Sequence, residues 1–243
     1  MPHIEPKNIP QVWPKNEKTL GVIGMSPFAT LNFLNVFYSL IHAEKEWLYP
    51  RILLDMNTKI PSRGRFFELG EEDPSPYIAQ TIVELYQQGA DYVLIPCNTV
   101  HILQKDWGRD SPIPIISIID AVKEEALKNI NVITPLGTKT TTSKRIYSIP
   151  LEKAGLKVRD INQKEQSIIS AVIEEVKQEG QLIYNRDELS SLLVTLKRDG
   201  VGTIILGCTE LSCITEFIKQ HGIHFIDSNS VLAQKAVDLI MGR

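Results

Sequence analysis

The stretch that decides the fold reads Gly89-Ala90-Asp91-Tyr92-Val93-Leu94-Ile95-Pro96-Cys97, and it aligns without a gap on Gly200-Val201-Gly202-Thr203-Ile204-Ile205-Leu206-Gly207-Cys208. In both segments a glycine that ends a helix is followed by a short apolar strand and then by a cysteine. The strand around Val22 precedes Cys97 by 75 residues, and the strand around Val132 precedes Cys208 by 76. A helix-ending glycine followed by a strand can recur by chance in any α/β protein. The matched cysteines nevertheless predict two lobes of similar construction.

Short apolar runs alternate with segments of helical period along most of the chain, which predicts an α/β fold with parallel sheets flanked by helices. The predicted strands are 21–24, 51–56, 92–96, 113–119, 132–134, 203–206 and 224–226. Ser26-Pro27 and Ser75-Pro76 each predict a helix start. The predicted buried stripes of these two helices are Leu31, Leu34, Tyr38 and Ile41 for the first, and Ile78, Ile82 and Leu85 for the second.

We expect an extended N-terminal arm over 1–18, a first α/β lobe from 19–117 plus 224–243, and a second α/β lobe over 118–223. Open parallel sheets bind ligands beyond the carboxyl ends of their strands. Two facing lobes would therefore bring both cysteines to one cleft.

Composition excludes several classes of function. With 243 residues, 43% hydrophobic residues and a formal charge of −3, the chain has no global attraction for nucleic acid or anionic membranes. No apolar run approaches the ~20 residues that span a bilayer, and the proline-rich start lacks a signal-peptide core. We expect a cytoplasmic protein whose three cysteines stay thiols.

Cys97 lies in Pro96-Cys97-Asn98-Thr99-Val100-His101, and Cys208 lies in Gly207-Cys208-Thr209-Glu210-Leu211. Each cysteine follows a strand and precedes a predicted helix, whose N-terminus would favour thiolate. An isolated cysteine is more often an inert buried residue. Two cysteines at equivalent strand ends, both flanked by polar groups, point instead to catalysis.

Together with Gly24-Met25-Ser26-Pro27, these motifs resemble the signatures of the aspartate/glutamate racemase family, over roughly residues 19–243. The resemblance implies two similar α/β lobes with the active site between them, no pyridoxal phosphate and no metal. It also implies a small acidic amino acid as substrate and a homodimer. Racemisation removes a proton from one face of the α-carbon and returns one to the other, so two thiols can divide the work.

The resemblance also assigns substrate-binding positions. Arg63 matches the arginine that grips a substrate carboxylate, and Lys177 lies about where aspartate-preferring members place a lysine for the distal carboxylate. The other matched positions are Met25, Asn98, Thr99, Thr138, Thr209 and Glu210. The alternatives without a role in substrate binding are exposed surface positions for Arg63 and Lys177, and helix capping or turn formation for the polar residues.

Several further residues keep two interpretations. His101 could orient a thiol or be structural, Glu210 could accept a thiol proton, and Cys213 is expected in the core. Two features depart from the family pattern: the chain has only Ile23-Gly24 before Met25 where the family usually has Gly-Gly, which would shorten the loop, and Ser62 stands where an aspartate is common. If that aspartate helps to ionise a cysteine, rate or substrate range would differ here.

Other functions remain open at this point. The same superfamily includes hydantoin racemases, maleate isomerases and arylmalonate decarboxylases, and single-thiol decarboxylases need only one of the two cysteines. The non-enzymatic alternative is a binding protein whose two lobes close on an acidic metabolite. Such a binder would show ligand affinity without hydrogen exchange at the α-carbon.

Overall fold

Two parallel sheets organise the chain in a computed structural model that describes residues 17–128 and 131–242. The first sheet has the order β2-β1-β3-β4, formed by β1 Leu20–Gly24, β2 Ile52–Met56, β3 Tyr92–Leu94 and β4 Ile115–Ile116. The second has the order β5-β6-β7, formed by β5 Val132–Gly137, β6 Val201–Gly207 and β7 His224–Asp227. Every paired neighbour is parallel, which confirms the predicted α/β class.

Helices flank both sheets. They are α1 Pro27–Ser39, α2 Arg63–Leu69, α3 Ser75–Gln87, α4 Gln104–Trp107, α5 Ile118–Ala126, α6 Lys139–Ser143, α7 Ser148–Lys153, α8 Gln163–Glu179, α9 Arg186–Arg198, α10 Thr215–Gln220 and α11 Ser228–Met241. Short 3₁₀ turns cover Glu46–Leu48, Thr99–Leu103 and Leu211–Ile214. Among the described residues, no helix combines the length and apolar character that crossing a membrane requires.

The predicted repeat is visible in the strand order. β1, β3 and β4 neighbour one another in the first sheet as β5, β6 and β7 do in the second. The place of β2 is taken in the second sheet by an isolated parallel bridge between Ile133 and Val158. Cys97 and Cys208 follow β3 and β6, so each thiol lies beyond the carboxyl end of an interior strand of its sheet.

One predicted boundary needs correction. The sequence places 224–243 in the first lobe, whereas β7 pairs with β6 in the second sheet. Only the following helix, α11, returns to the first sheet, where Leu232, Ala236 and Val237 join the core beneath β1 and α1. Residues 1–16, most of the predicted arm, lie outside the described residues.

The stripe predicted for α3 is confirmed, whereas the one predicted for α1 is right only at Leu34, which is partly buried, and Ile41, which is buried. Ile78, Ile82 and Leu85 of α3 are buried as predicted. In α1 the buried aromatic residues are Phe33 and Phe37, and the predicted Leu31 and Tyr38 are exposed. The helix is apolar on more than one side, so its period does not determine which stripe faces the sheet.

The fourth strand is also shorter than predicted. The sequence predicts a strand over 113–119, but pairing covers only Ile115–Ile116. Ser117 ends the strand because its hydroxyl accepts a hydrogen bond from the Asp120 backbone and caps α5.

Candidate active site

A cavity of about 200 Å³ opens between the two lobes at the carboxyl ends of their strands. Its lining includes every site residue predicted from the sequence, namely Met25, Arg63, Cys97, Asn98, Thr99, Thr138, Lys177, Cys208, Thr209 and Glu210. It also includes residues that sequence reasoning missed, among them Glu68 and Thr140. Small-molecule cavities commonly measure ~300–1,000 Å³, so this one suits a ligand of amino-acid size.

Parallel sheets explain why residues so distant in sequence meet here. Met25 follows β1, Cys97 follows β3, Thr138 follows β5 and Cys208 follows β6, all at strand carboxyl ends. Helices supply the two cations: Arg63 is the first residue of α2, and Lys177 lies in the last turn of α8.

Cys208 is held as a thiol. Its side chain is only 6% exposed, and Sγ donates to Glu210 Oε2 at 2.8 Å. Burial raises the pKa of Cys208 well above its ordinary value, the negative charge and hydrogen bond of Glu210 raise it further, and Lys177 opposes them. The sequence predicted a helix N-terminus that favours thiolate, but only a short 3₁₀ turn follows, so burial prevails.

Cys97 is partly buried, and its backbone is fixed by a histidine. His101 Nδ1 lies 2.7 Å from the Cys97 carbonyl oxygen, and the imidazole meets Trp107 edge-on. Burial lowers the pKa of His101 to about 4, against the opposing effect of the Cys97 carbonyl. His101 is absent from the cavity lining, so a neutral ring supports the cysteine loop from behind.

Asn98, next to Cys97, makes hydrogen bonds to residues that are distant in the sequence. The hydroxyl of Tyr147 donates to Asn98 Oδ1, and Asn98 Nδ2 donates to Ser228 Oγ at 3.1 Å. Ser228 in turn donates to the Leu206 carbonyl at 2.7 Å. Helix capping, the bland alternative, fails for Asn98 because its side chain makes no cap hydrogen bond.

Three threonine hydroxyls form a second contact between the lobes. Thr99 Oγ1 lies 3.1 Å from the hydroxyls of both Thr138 and Thr141. Thr138 also caps α6 by accepting from the Thr141 backbone at 3.1 Å. Thr138 is thus both a helix cap and a cavity residue.

Ser62 and Arg63 open α2 at one side of the cavity. Ser62 Oγ accepts from the Arg65 backbone at 3.4 Å, so the residue that departs from the family pattern caps the helix. Arg63 is partly buried, and its Nη1 donates to the Pro61 carbonyl at 3.1 Å. From the same helix Glu68 meets the other lobe, accepting from Thr140 Oγ1 at 3.2 Å.

Lys177 and Cys213 occupy more exposed positions. The Lys177 side chain is 46% exposed, with Nζ 3.8 Å from Glu174 Oε2. Cys213 was expected in the core but is exposed. The segment after Cys208 is a 3₁₀ turn, in which Leu211 and Ile214 take the buried positions three residues apart.

A larger cavity of about 530 Å³ lies elsewhere, between α6 and α8 of the second lobe. Neither thiol lines it, although Thr141 and Tyr147 do. No grouping of three His, Cys, Asp or Glu side chains suited to a metal occurs within 17–128 and 131–242. The chemistry-bearing side chains converge on the smaller cavity.

Comparison with known proteins finds a matching family and similar structures. The model of the Asp/Glu/hydantoin racemase family matches residues 22–236. The Picrophilus torridus aspartate racemase structure superposes with a TM-score of 0.82 at 26% identity, covering 92% of this chain and 94% of that chain. An aspartate racemase homologue from Pyrococcus horikoshii OT3 gives a TM-score of 0.75 at 28% identity, covering 92% and 99%.

Curated sequences match over shorter stretches. The broad specificity amino-acid racemase RacX of Bacillus subtilis (strain 168) is 26% identical over 155 residues, which is 64% of this chain and 67% of that protein. A glutamate racemase of Shewanella woodyi is 29% identical over 174 residues, 67% of this chain and 61% of that protein. The latter match spans less than two thirds of its relative.

Proposed function

The chain belongs to the Asp/Glu/hydantoin racemase family, and we propose that it racemises an acidic amino acid, aspartate first and glutamate second, without a pyridoxal cofactor. One observation carries this proposal: two thiols line a single cavity of about 200 Å³ that also holds two cations. The thiols come from equivalent strands of the two sheets, which is the arrangement that proton exchange on two faces of one carbon requires.

In the proposed cycle, one cysteine removes the α-proton as a thiolate and the other returns a proton as a thiol. The electron pair of the broken C–H bond is held in the carboxylate as an enediolate and then takes the proton from the second thiol. The first cysteine ends protonated and the second ends as thiolate, so the opposite enantiomer is handled in reverse. Burial and Glu210 raise the pKa of Cys208, which suits it to be the thiol that returns the proton.

The cavity can stabilise the enediolate without a cofactor. The Arg63 guanidinium can take the α-carboxylate in paired hydrogen bonds, where negative charge increases as the proton leaves. Thr99, Thr209 and Asn98, whose side chains carry hydroxyl or amide donors, line the same space. Donors fixed before the reaction need no reorganisation at the moment of proton transfer.

Charge in the cavity favours an acidic substrate over a hydantoin. Arg63 and Lys177 offer one cation for each of two carboxylates, whereas an uncharged hydantoin would leave both cations without a partner. A decarboxylase needs one thiol, and this cavity holds two. Aspartate precedes glutamate because the Picrophilus torridus relative is an aspartate racemase.

Two features of the proposal concern the protein in the cell. We expect it to act as a homodimer, as the resemblance to the family implies, and in the cytoplasm, as the composition predicts. Light scattering on the peak that elutes from a size-exclusion column tests the homodimer. A mass of 27.4 kDa, that of the monomer, would contradict it.

Exchange with solvent tests the reaction directly. Both enantiomers of aspartate and glutamate are incubated separately in deuterium oxide without pyridoxal phosphate, and the α-proton is followed by NMR. Loss of the α-proton signal together with appearance of the other enantiomer by chiral chromatography is the expected result. A variant in which Cys97 and Cys208 are both serine is the control. If none of the four compounds exchanges, the substrate assignment is wrong, and saturable binding without exchange would identify a binder.

A further inference from the structure

We propose that Tyr147 is a positioning residue that fixes the spacing between the two thiols, because it touches the residue after Cys97 and the residue before Cys208. The inference rests on the proposed two-thiol function and adds a residue that belongs to neither cysteine motif. Tyr147 immediately precedes α7 in the second lobe and is 1% exposed.

The first contact is made by the hydroxyl, which donates to Asn98 Oδ1. Asn98 is itself buried and adjoins Cys97 in the first lobe. Burial raises the pKa of Tyr147 well above its ordinary value, a hydrogen bond with Ser228 lowers it, and the negative charge of Asp227 raises it. The hydroxyl therefore remains a donor over the whole pH range in which the enzyme could work.

Hydrogen-bond bookkeeping fixes the direction of this contact. Ser228 has one hydroxyl proton, and it goes to the Leu206 carbonyl at 2.7 Å. Its oxygen can then only accept from Asn98, at 3.1 Å, so the Asn98 amide nitrogen must face Ser228 and its oxygen must face Tyr147. A flipped amide would place its oxygen against the Ser228 oxygen and lose that buried hydrogen bond.

The second contact is made by the ring. A Cβ added at Gly207 would lie 2.7 Å from Tyr147 Cε2, closer than real Cβ contacts come. Only glycine therefore lets the aromatic ring lie against the backbone immediately before Cys208. The glycine of the Gly207-Cys208-Thr209 motif thus has a packing function, and its partner is the side chain that holds Asn98.

The two contacts place one rigid side chain between the two cysteine loops. Proton transfer requires both sulfurs to lie at the correct distance from the same carbon, and displacement of one of them by ~1 Å can cost about 100-fold in rate. Arg63 is independent of this contact, so binding of the carboxylate should survive its loss. We therefore expect removal of the hydroxyl to lower kcat and leave KM nearly unchanged.

The test compares Tyr147→Phe with Tyr77→Phe, in which the lost hydroxyl is bonded to Glu72 on the surface. Tyr147→Phe should lower kcat for racemisation by about 10- to 100-fold with KM within about twofold, and Tyr77→Phe should change neither. In an Asn98→Ala background, Tyr147→Phe should have little further effect, because its partner is already absent. Equal effects of Tyr147→Phe with and without Asn98 would overturn the proposal.

A second readout does not depend on the activity. The side-chain amide of Asn98 gives a pair of NMR signals, which should shift in Tyr147→Phe and in Ser228→Ala but not in Tyr77→Phe. The alkylation rate of Cys97 by iodoacetamide should change in the same two variants. Unchanged Asn98 signals and Cys97 reactivity would refute the positioning role even if no racemisation were found. Ser228→Ala also serves if Tyr147→Phe does not fold.

Discussion

The sulfur of Cys208 lies 2.8 Å from Oε2 of Glu210, so a buried thiol donates to a carboxylate two residues further along the chain. The proximity raises the pKa of Cys208, in addition to the larger effect of burial. A carboxylate so placed favours the protonated thiol, the form that returns a proton to the carbanion in the proposed cycle.

Replacing Glu210 by glutamine should lower the pKa of Cys208, because the negative charge is removed while burial remains. The measurement is the pH dependence of iodoacetamide alkylation of Cys208, made with Cys97 and Cys213 replaced by serine so that one thiol remains. Glu216→Gln, a change at an exposed carboxylate paired with Lys219, is the control. A midpoint that stays constant or moves to higher pH would contradict the coupling.

Serine at either Cys97 or Cys208 should abolish racemisation and leave the fold intact, since serine is nearly isosteric but a far weaker acid. Each single variant keeps one thiol, which can still abstract the α-proton from one enantiomer. With a β-leaving group on the substrate, the carbanion eliminates, so the two variants should eliminate from opposite enantiomers. The same enantiomer preference in both, or racemisation at the parental rate in either, would disprove the two-thiol mechanism.

Arg63→Leu should weaken turnover at low substrate by roughly 1.5–3 kcal/mol, or about 10- to 150-fold, because a substrate carboxylate loses a charged partner. Arg65→Leu is a matched control, since Arg65 lies on the same helix but pairs with Glu71 in solvent. The measured quantity is kcat/KM for both enantiomers. Equal losses of kcat/KM in the two variants would show that Arg63 has no specific role in binding the carboxylate.

Stability should decline in acid because of His101. Its pKa of about 4 in the folded protein lies below the ~6.5 of an unfolded histidine, so protons bind the unfolded chain first. The stability that this neutral histidine contributes is present above pH ~6.5 and is lost as pH falls towards 4, in total roughly 3 kcal/mol.

The check is urea unfolding between pH 4 and 7. His101→Gln can still donate to the Cys97 carbonyl but does not titrate, so its stability should fall less steeply across this window. His42→Gln, a change at an exposed histidine, should retain the parental slope. Parallel slopes for parent and His101→Gln would show that another group controls acid unfolding.

The sequence predicts those parts of the site that are local. Cys97 and Cys208 each end a short apolar strand after a helix-ending glycine, so their position at a sheet edge follows from neighbours within ten residues. Arg63 and Lys177 required the family resemblance, since nothing in their surroundings distinguishes them from surface cations. The lining of one cavity by all of them agrees with both lines of reasoning.

Tyr147 and Ser228 could not be found in this way. Their partner Asn98 is 49 residues from one and 130 from the other, and neither contact leaves a local pattern. The error at α1 has a related origin: Phe33 and Phe37 are buried because α11, about 200 residues later, covers them. Periodicity shows that a helix has an apolar face, and tertiary packing selects which one.

The packing of α11 against α1 has a consequence for the order of folding during synthesis. The first lobe begins with β1 near residue 20, yet its core includes Leu232, Ala236 and Ile240. When β4 leaves the ribosome, Phe33 and Phe37 still lack their covering helix, whereas the sheet of the second lobe closes as soon as β7 appears. Contacts so distant in sequence form late, and the nascent first lobe must remain incomplete, with apolar surface open to chaperones, while the second lobe is translated. We therefore expect the part of the chain that is made first to become native last.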